Sequence, residues 1–187
     1  MNRTGVLIVV AHHPGAPEVE RLRGCLAALD PVFGYAVVSN AHEDGSAVEL
    51  LQEGADAFLV NAHNPGYGRA VNQAVAMLRQ RRAMPAYVGA LNTDLAWRPG
   101  SLENLLAWMQ EQVDVAIAVP QLVDPAGVTQ KLCKRHPTLL GLCSRRFLGE
   151  RFKPHWLKRY DRWYVMADQD YDQPFEVPYL SGCCMLM

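Results

Sequence analysis

A chain of 187 residues, half of them apolar, is long enough for one domain with a real core. Its formal net charge of -1 argues against a generalised polyanion binder, and no stretch reaches the roughly 18 uninterrupted apolar residues that a membrane-spanning helix needs. The five cysteines (Cys25, Cys133, Cys143, Cys183 and Cys184) form no C-x-x-C pair and are odd in number. That suits neither a zinc knuckle nor a disulfide framework and fits a reducing cytosol. Residues 1–5 run straight into a strand-like stretch and lack the pattern of a signal peptide, so a cytoplasmic location is expected.

Residues 6–11 form a continuous apolar run of the kind shown by a strand buried on both faces. From 18 to 29, Val19, Leu22, Leu26 and Leu29 recur at helical spacing. Residues 35–38 read as a second strand, 47–52 as a short helix and 57–60 as a third strand. Over 69–82, Val71, Ala74, Val75 and Leu78 share one helical face, and 86–91 is the fourth strand. Pro99-Gly100-Ser101 opens a helix through Gln110, with Ser101 expected as its N-cap and Leu102, Leu105, Leu106 and Met109 inward. Residues 115–119 are expected to close the series as a strand.

Strands separated by helices imply βαβ units with right-handed crossovers. The expected class is therefore α/β, a Rossmann-like, mostly parallel sheet with helices on both faces. After Pro120 the texture changes. Asp124-Pro125-Ala126-Gly127 reads as a turn between two short strand-like pieces, and 131–162 becomes basic and aromatic. The expected division is a ligand-binding half, 1–120, followed by a second part, 121–187.

In open α/β sheets the ligand crevice lies beyond the carboxyl ends of the strands. Leu91-Asn92-Thr93-Asp94 delivers a carboxylate to that edge. Asn92 and Asp94, two apart, offer hard oxygen ligands that could share Mg²⁺ or Mn²⁺ with the phosphates of a ligand; the same pattern also starts ordinary turns. Asn64-Pro65-Gly66-Tyr67-Gly68 stands between the third strand and a helix, where glycines let a phosphate approach the helix N-terminus, or simply make a tight turn. It is neither a Walker loop nor a dinucleotide fingerprint. His12 and His13 at the end of the first strand are metal-ligand or stacking candidates. Adjacent strand positions splay apart, so one ring is expected to face the crevice and the other the packing. Asn40, Asp44, Gly45 and Ser46 follow the second strand, where a solvated turn is the simpler reading.

Between 131 and 162 lie ten of the eighteen Lys and Arg residues against two acids, Glu150 and Asp161, interleaved with Phe147, Phe152, Trp156 and Tyr160. Such a segment could meet a pyrophosphate, an anionic membrane surface or nucleic acid, or be a solvated face beside the acids that follow it. The near-neutral whole ranks nucleic acid last and leaves peripheral membrane contact open.

Four segments, in order, carry a resemblance: residues 37–46 (Val-Val-Ser-Asn-Ala-His-Glu-Asp-Gly-Ser), 64–72 (Asn-Pro-Gly-Tyr-Gly-Arg-Ala-Val-Asn), 91–94 (Leu-Asn-Thr-Asp) and 181–186 (Ser-Gly-Cys-Cys-Met-Leu). Together they resemble glycosyltransferase family 2, particularly its rhamnosyltransferase-like bacterial members, whose patterns run V-V-D-N-x-S-x-D-G-S, N-x-G-F-G-x-G-x-N, L-N-P-D and S-G-A-C-M-L. The resemblance implies a GT-A fold and a nucleotide-sugar site formed by Ala11, His12, Ser39, Asn40, Asn64, Gly66, Gly68, Asn72, Asn92 and Thr93. His12 stands where the family often has a tyrosine against the base, and Ser39 replaces an acid near it. Asp94 matches the metal-binding aspartate of a D-x-D motif, for Mn²⁺ or Mg²⁺, with Asn92 as its variable first member. Arg135, His136 and Pro137 match an R-x-P-like segment. Family members continue into an acid-bearing stretch that supplies a general base, so the resemblance places the catalytic base beyond Met187 and implies a chain truncated at its C-terminus.

The implied activity is transfer of a sugar from a UDP- or dTDP-linked donor to the hydroxyl of a saccharide or lipid-linked saccharide, inverting and metal-dependent, in cell-surface polysaccharide synthesis. The implied place is the cytoplasm, at the inner face of the membrane. The competing account is a non-catalytic, truncated or degenerate nucleotide-sugar-binding domain. A sugar-1-phosphate nucleotidyltransferase needs a Gly-rich basic loop after the first strand, which Ala11-His12-His13-Pro14-Gly15 does not supply.

Overall fold

The computed structural model describes residues 3–187, apart from the side chains of Leu140, Arg145 and Glu150. The chain divides into two compact units, Met1–Ala118 with Gly182–Met187, and Val119–Ser181.

The first unit carries a five-stranded sheet, built in the order β1 (Gly5–His12), α1 (Ala16–Ala27), β2 (Phe33–Asn40), a 3₁₀ turn over Ala47–Leu51, β3 (Ala57–Asn61), α2 (Tyr67–Gln80), β4 (Tyr87–Asn92), α3 (Ser101–Glu111) and, at the end of the chain, β5 (Cys184–Leu186). Its strand order is β3-β2-β1-β4-β5, with the first four parallel and β5 antiparallel to β4. β1 and β2 are central and buried along almost their whole length, which is why both read as unbroken apolar runs. Leu7, Val9 and Val37 pack against Val19, Leu22 and Leu26 of α1 and Leu102, Leu106 and Met109 of α3. On the opposite face Ile8, Val10 and Val38 meet Ala70 and Ala74 of α2. Small residues on α2 let that helix lie close to the β-branched sheet surface.

Register fixes where the strands end. His12 pairs with Asn40, Asn40 with Asn61, and Val10 with Asn92. The carboxyl ends of β1 to β4 therefore finish along one edge, with polar residues at each end.

Two local expectations are corrected. Residues 115–119 form no strand, and only Ala118 bridges the sheet, exchanging backbone hydrogen bonds with Leu186 at 2.8 and 2.9 Å. The place beside β4 goes to β5, whose Cys184 and Leu186 are buried while Ala116 and Ile117 face solvent. Ser101 is the first helical residue of α3 rather than its cap. The cap is Gly100, whose φ of 85° lies in the left-handed region that glycine enters without Cβ strain.

In the second unit the Asp124 turn forms as expected: Asp124 Oδ1 accepts from the amides of Ala126 and Val128, both at 2.9 Å, and Val123 bridges Thr129. Two helices follow, α4 (Leu139–Phe147) and α5 (His155–Tyr164), separated by a 3₁₀ turn at Glu150–Phe152. Arg135 ties this unit together. Its guanidinium donates to both carboxylate oxygens of Asp168 (2.8 and 2.7 Å) and to the Trp163 carbonyl, and lies 4.9 Å from the centre of the Trp163 ring. The R-x-P-like segment thus has an architectural task after α5. Among the described residues no helix is long and apolar enough to cross a membrane. All five cysteines are free, and burial pushes the Cys184 thiol up to about 12, which makes it an inert packing residue.

Two outcomes follow from this packing. Leu22→Ala, at a position with no solvent exposure, is expected to cost about 2 to 5 kcal/mol, read from the urea midpoint. The Arg135 hydrogen bonds hold the Asp168 carboxyl at about 2, below its range in an unfolded chain. Its contribution is therefore fully present above the unfolded-state value near 4 and disappears as pH falls toward 2. The stability difference between wild type and Arg135→Gln should shrink over that window; a difference unchanged from pH 6 to pH 2 contradicts the assignment.

Candidate functional site

The polar ends of the strands are held by one another. Asn40, the last residue of β2, is buried. Its Oδ1 accepts from Asn61 Nδ2 of β3 at 2.8 Å, and its Nδ2 donates to Asn64 Oδ1 at 3.3 Å. Asn64 Oδ1 also accepts from the Gly66 amide at 2.9 Å, while Asn61 exchanges amide hydrogen bonds with Gln73 of α2 at 2.8 and 3.2 Å. A chain of carboxamides thus runs from β2 through β3 to the loop and first turns of α2. The buried Asn40 demands partners, and the more exposed Asn61 and Asn64 supply them.

That chain fixes the Asn64-Pro65-Gly66 turn. Gly66 caps α2 with φ at 93°, which only glycine adopts without strain, and no side chain caps the helix. The first-turn amides are therefore left for solvent or an anion. A Cβ added at Gly66 or Gly68 would meet nothing within 4 Å, so the space over this turn is open. Asn72 is exposed one turn along α2, outside the carboxamide chain. Tyr67, the first helical residue, has a buried hydroxyl without a partner, and burial with Cys184 and Cys183 nearby raises its pKa and keeps it neutral.

Ser39 is also buried, and its Oγ lies 2.9 Å from Nδ1 of His42. His42 is the residue that sequence reasoning passed over. Its ring is almost wholly enclosed, edge-on to Phe58, with Nε2 3.5 Å from Glu49 Oε1 and 3.8 Å from Asp44 Oδ1. Glu49 Oε1 further accepts from the Gly45 amide at 2.9 Å. The loop after β2 is therefore latched by its own side chains. His42, Asp44 and Glu49 are the one set of three metal-capable groups found together among the described residues, and Asp94 is not part of it.

At the end of β1, Ala11 is sealed in the core, so its methyl group is out of reach of a ligand. His12 is exposed, with Nδ1 3.4 Å from the Asn40 carbonyl. The expectation that one histidine packs inward is corrected: both rings are exposed, 4.5 Å apart and tilted by 50°. The cause is the backbone of His13, whose φ of 48° breaks the strand alternation and folds its ring back beside His12, with Nδ1 3.6 Å from Glu43.

At the end of β4, Asn92 is half-buried and its amide donates to the Cys183 carbonyl at 3.0 Å. Thr93 is buried. Asp94 stands exposed in the following turn, and its carboxylate has no hydrogen-bond or ion-pair partner among the described residues. The edge thus offers an exposed imidazole, a braced carboxamide row, an open helix N-terminus and one unengaged carboxylate. Hard oxygen donors of this kind fit Mg²⁺ or Mn²⁺ supplemented by water and phosphate oxygens.

Comparison with known proteins gives a consistent answer. The model of the family described as glycosyl transferase family 2 matches residues 8–187. Two curated relatives, N-acetylglucosaminyl-diphospho-decaprenol L-rhamnosyltransferase from the CDC 1551 and H37Rv strains of Mycobacterium tuberculosis, are each 29% identical over 196 residues. The match covers 98% of this chain but 62% of each relative. Among solved structures, the mannosyltransferase PcManGT from Pyrobaculum calidifontis, in complex with GDP-Man and Mn²⁺, has a TM-score of 0.54 at 22% identity, over 67% of this chain and 37% of that one. TarS 1-349 from S. aureus, in complex with UDP, has a TM-score of 0.52 at 20% identity, over 71% and 40%. At those identities the likeness is one of fold, and the fold is of the GT-A type.

Replacing Asn40 by Ala leaves the Asn61 and Asn64 amides each short of a partner. The expected cost is about 1 to 3 kcal/mol in thermal or urea unfolding, together with faster hydrogen exchange at the Gly66 amide. Unchanged exchange there would show that the loop holds itself.

Proposed function

Because the chain belongs to glycosyl transferase family 2, we propose that it moves a sugar, with inversion, from a UDP- or dTDP-linked donor to the hydroxyl of a lipid-linked saccharide in cell-surface polysaccharide synthesis. The observation that carries this reading is the unengaged Asp94 carboxylate, on the same sheet edge as the open N-terminus of α2. Support also comes from relatives. The mycobacterial proteins are named for an L-rhamnosyl transfer to a diphospho-decaprenol acceptor, and two structural neighbours hold GDP-Man with Mn²⁺ and UDP. The chain spans 62% of the length of those curated relatives, so donor, acceptor and turnover are assigned here as proposals.

In this reading Asp94, with Asn92 beside it, holds Mn²⁺ or Mg²⁺. When bound, such an ion neutralises the charge that grows on a departing diphosphate. The α2 amides receive diphosphate oxygens over the open turn at Gly66 and Gly68, a preorganised arrangement because the carboxamide chain already fixes that turn. The exposed His12 ring offers a stacking face for the base, and Asn72 lies along the donor side. A carboxylate that accepts the acceptor's proton is worth about 10² to 10⁴ in rate, and none of the 187 residues is assigned that role. Ser39 favours a second reading, a nucleotide-sugar-binding domain without turnover, because its hydroxyl is engaged by His42 and no acid stands at that position.

Calorimetric titration with UDP and dTDP, with and without Mn²⁺, tests both. The expected result is metal-dependent affinity that falls about tenfold or more in Asp94→Ala, equivalent to at least ~1.4 kcal/mol. Nucleotide affinity that ignores both Mn²⁺ and Asp94→Ala supports the binding-only reading. Efficient multiple turnover by these 187 residues would show that the proton acceptor lies within them.

A further inference from the structure

We propose that the outward face of α4 and α5, with the turn between them, is a docking surface for an anionic lipid bilayer. The helix α4 turns large apolar side chains outward. Among its described side chains the buried positions are the small residues Gly141 and Ser144, whereas Leu139, Leu142 and Phe147 face solvent, Leu139 at 83% and Phe147 at 80% exposure. The reason lies in α5. A Cβ at Gly141 would come within 2.6 Å of the Tyr160 ring, and Tyr160 Oη lies 2.6 Å from Thr138 Oγ1 at the α4 cap. The helices approach too closely there for a residue larger than glycine at 141, and Leu139, Leu142 and Phe147 lie outside. Phe152 in the intervening turn is 81% exposed, and Trp156 continues the apolar face onto α5. Isolated exposed apolar residues are ordinary, but a run of this density across two neighbouring helices and their turn marks an interaction surface.

Charge identifies the occupant. Arg146, Arg151, Lys158, Arg159 and Arg162, on the same two helices and their turn, are all exposed. Asp161, the one acid of α5, is bound to Lys153 at 2.6 Å. Cations around aromatic and aliphatic groups match the headgroup boundary of an anionic bilayer, where the apolar side chains enter the acyl region and the cations meet phosphate. A nucleic acid would leave Leu139, Leu142 and Phe147 in water, and a second copy of the chain would set cation against cation. Docking of this kind does not depend on the proposed transfer. If that transfer holds, docking brings the protein to the surface in which a lipid-linked acceptor resides.

The test is co-sedimentation of the 187-residue protein with vesicles of phosphatidylglycerol and phosphatidylcholine, against vesicles of phosphatidylcholine alone. Binding is expected to the first and at least tenfold more weakly to the second. Phe152→Ser with Trp156→Ser should reduce binding about tenfold or more. Lys158→Gln with Arg159→Gln should reduce it roughly 25-fold at low salt, from about fivefold per cation. All four positions are exposed, so an unchanged urea midpoint confirms that the fold is intact. Failure to bind the anionic vesicles, or equal binding by the variants, overturns the proposal. So does a dimer in sedimentation velocity that the same substitutions abolish, since the face would then belong to a second copy. None of these outcomes depends on nucleotide binding.

Discussion

The amide of Asn40 is shared between two neighbours on separate elements, and the geometry of the sheet edge depends on that sharing. A carboxamide buried at the end of a central strand cannot turn to water, so both its ends must be satisfied by protein. Asn61 satisfies one and Asn64 the other. Because Asn64 also holds the Gly66 amide, the desolvation of a single side chain on β2 sets the path of the chain as it enters α2. The loop is therefore ordered before any ligand arrives, and no ordering entropy has to be supplied by ligand binding.

Register supplies the rest of the frame. Parallel strands paired in step bring His12, Asn40 and Asn61 side by side, while β4 places Asn92 opposite Val10, so Asp94 follows at the same edge. Strand spacing of about 4.8 Å puts the end of β4 roughly 10 Å from that of β2, a span that a nucleoside diphosphate bridges. The second unit uses different forces. There Arg135 is pinned between Asp168 and Trp163, and close helix packing at Gly141 takes the place of a broad apolar core.

What could be read from the chain follows from how local each cause is. The strands β1 and β2 were legible because burial on both faces writes itself as a continuous apolar run. Residues 115–119 carry the same run but misled, because their neighbour on the sheet arrives more than sixty residues later, and Cys184 and Leu186 take the position beside β4. Ser101 has the chemistry of a cap, yet Gly100 before it has the backbone freedom, and the left-handed turn decided the outcome. At the edge, the presence of Asn40, Asn64 and Gly66 was visible as a motif, but the hydrogen bond from Asn40 to Asn64 that anchors it joins residues 24 positions apart. His42 gave no signal because its role is to engage Ser39 and the acids of its own loop, and nothing in the spacing separates that from a solvated turn. The outward placement of Leu139, Leu142 and Phe147 on α4 was equally hidden, since an apolar stripe reads the same whichever way it faces.

The electrostatics of the edge are set by which acids are already engaged. Glu49 faces His42 and caps Gly45, and Glu43 approaches His13. The exposed Asp94 has no such partner among the described residues. The open N-terminus of α2 carries a partial positive charge and favours an anion, while Asp94 carries a full negative charge and would repel one reaching across the edge. These two unsatisfied features oppose each other for a lone anion and cooperate for an anion that arrives with a divalent cation. Under the proposed function, the affinity of the edge for a diphosphate and its affinity for the cation would therefore be linked, each raising the other by the same factor.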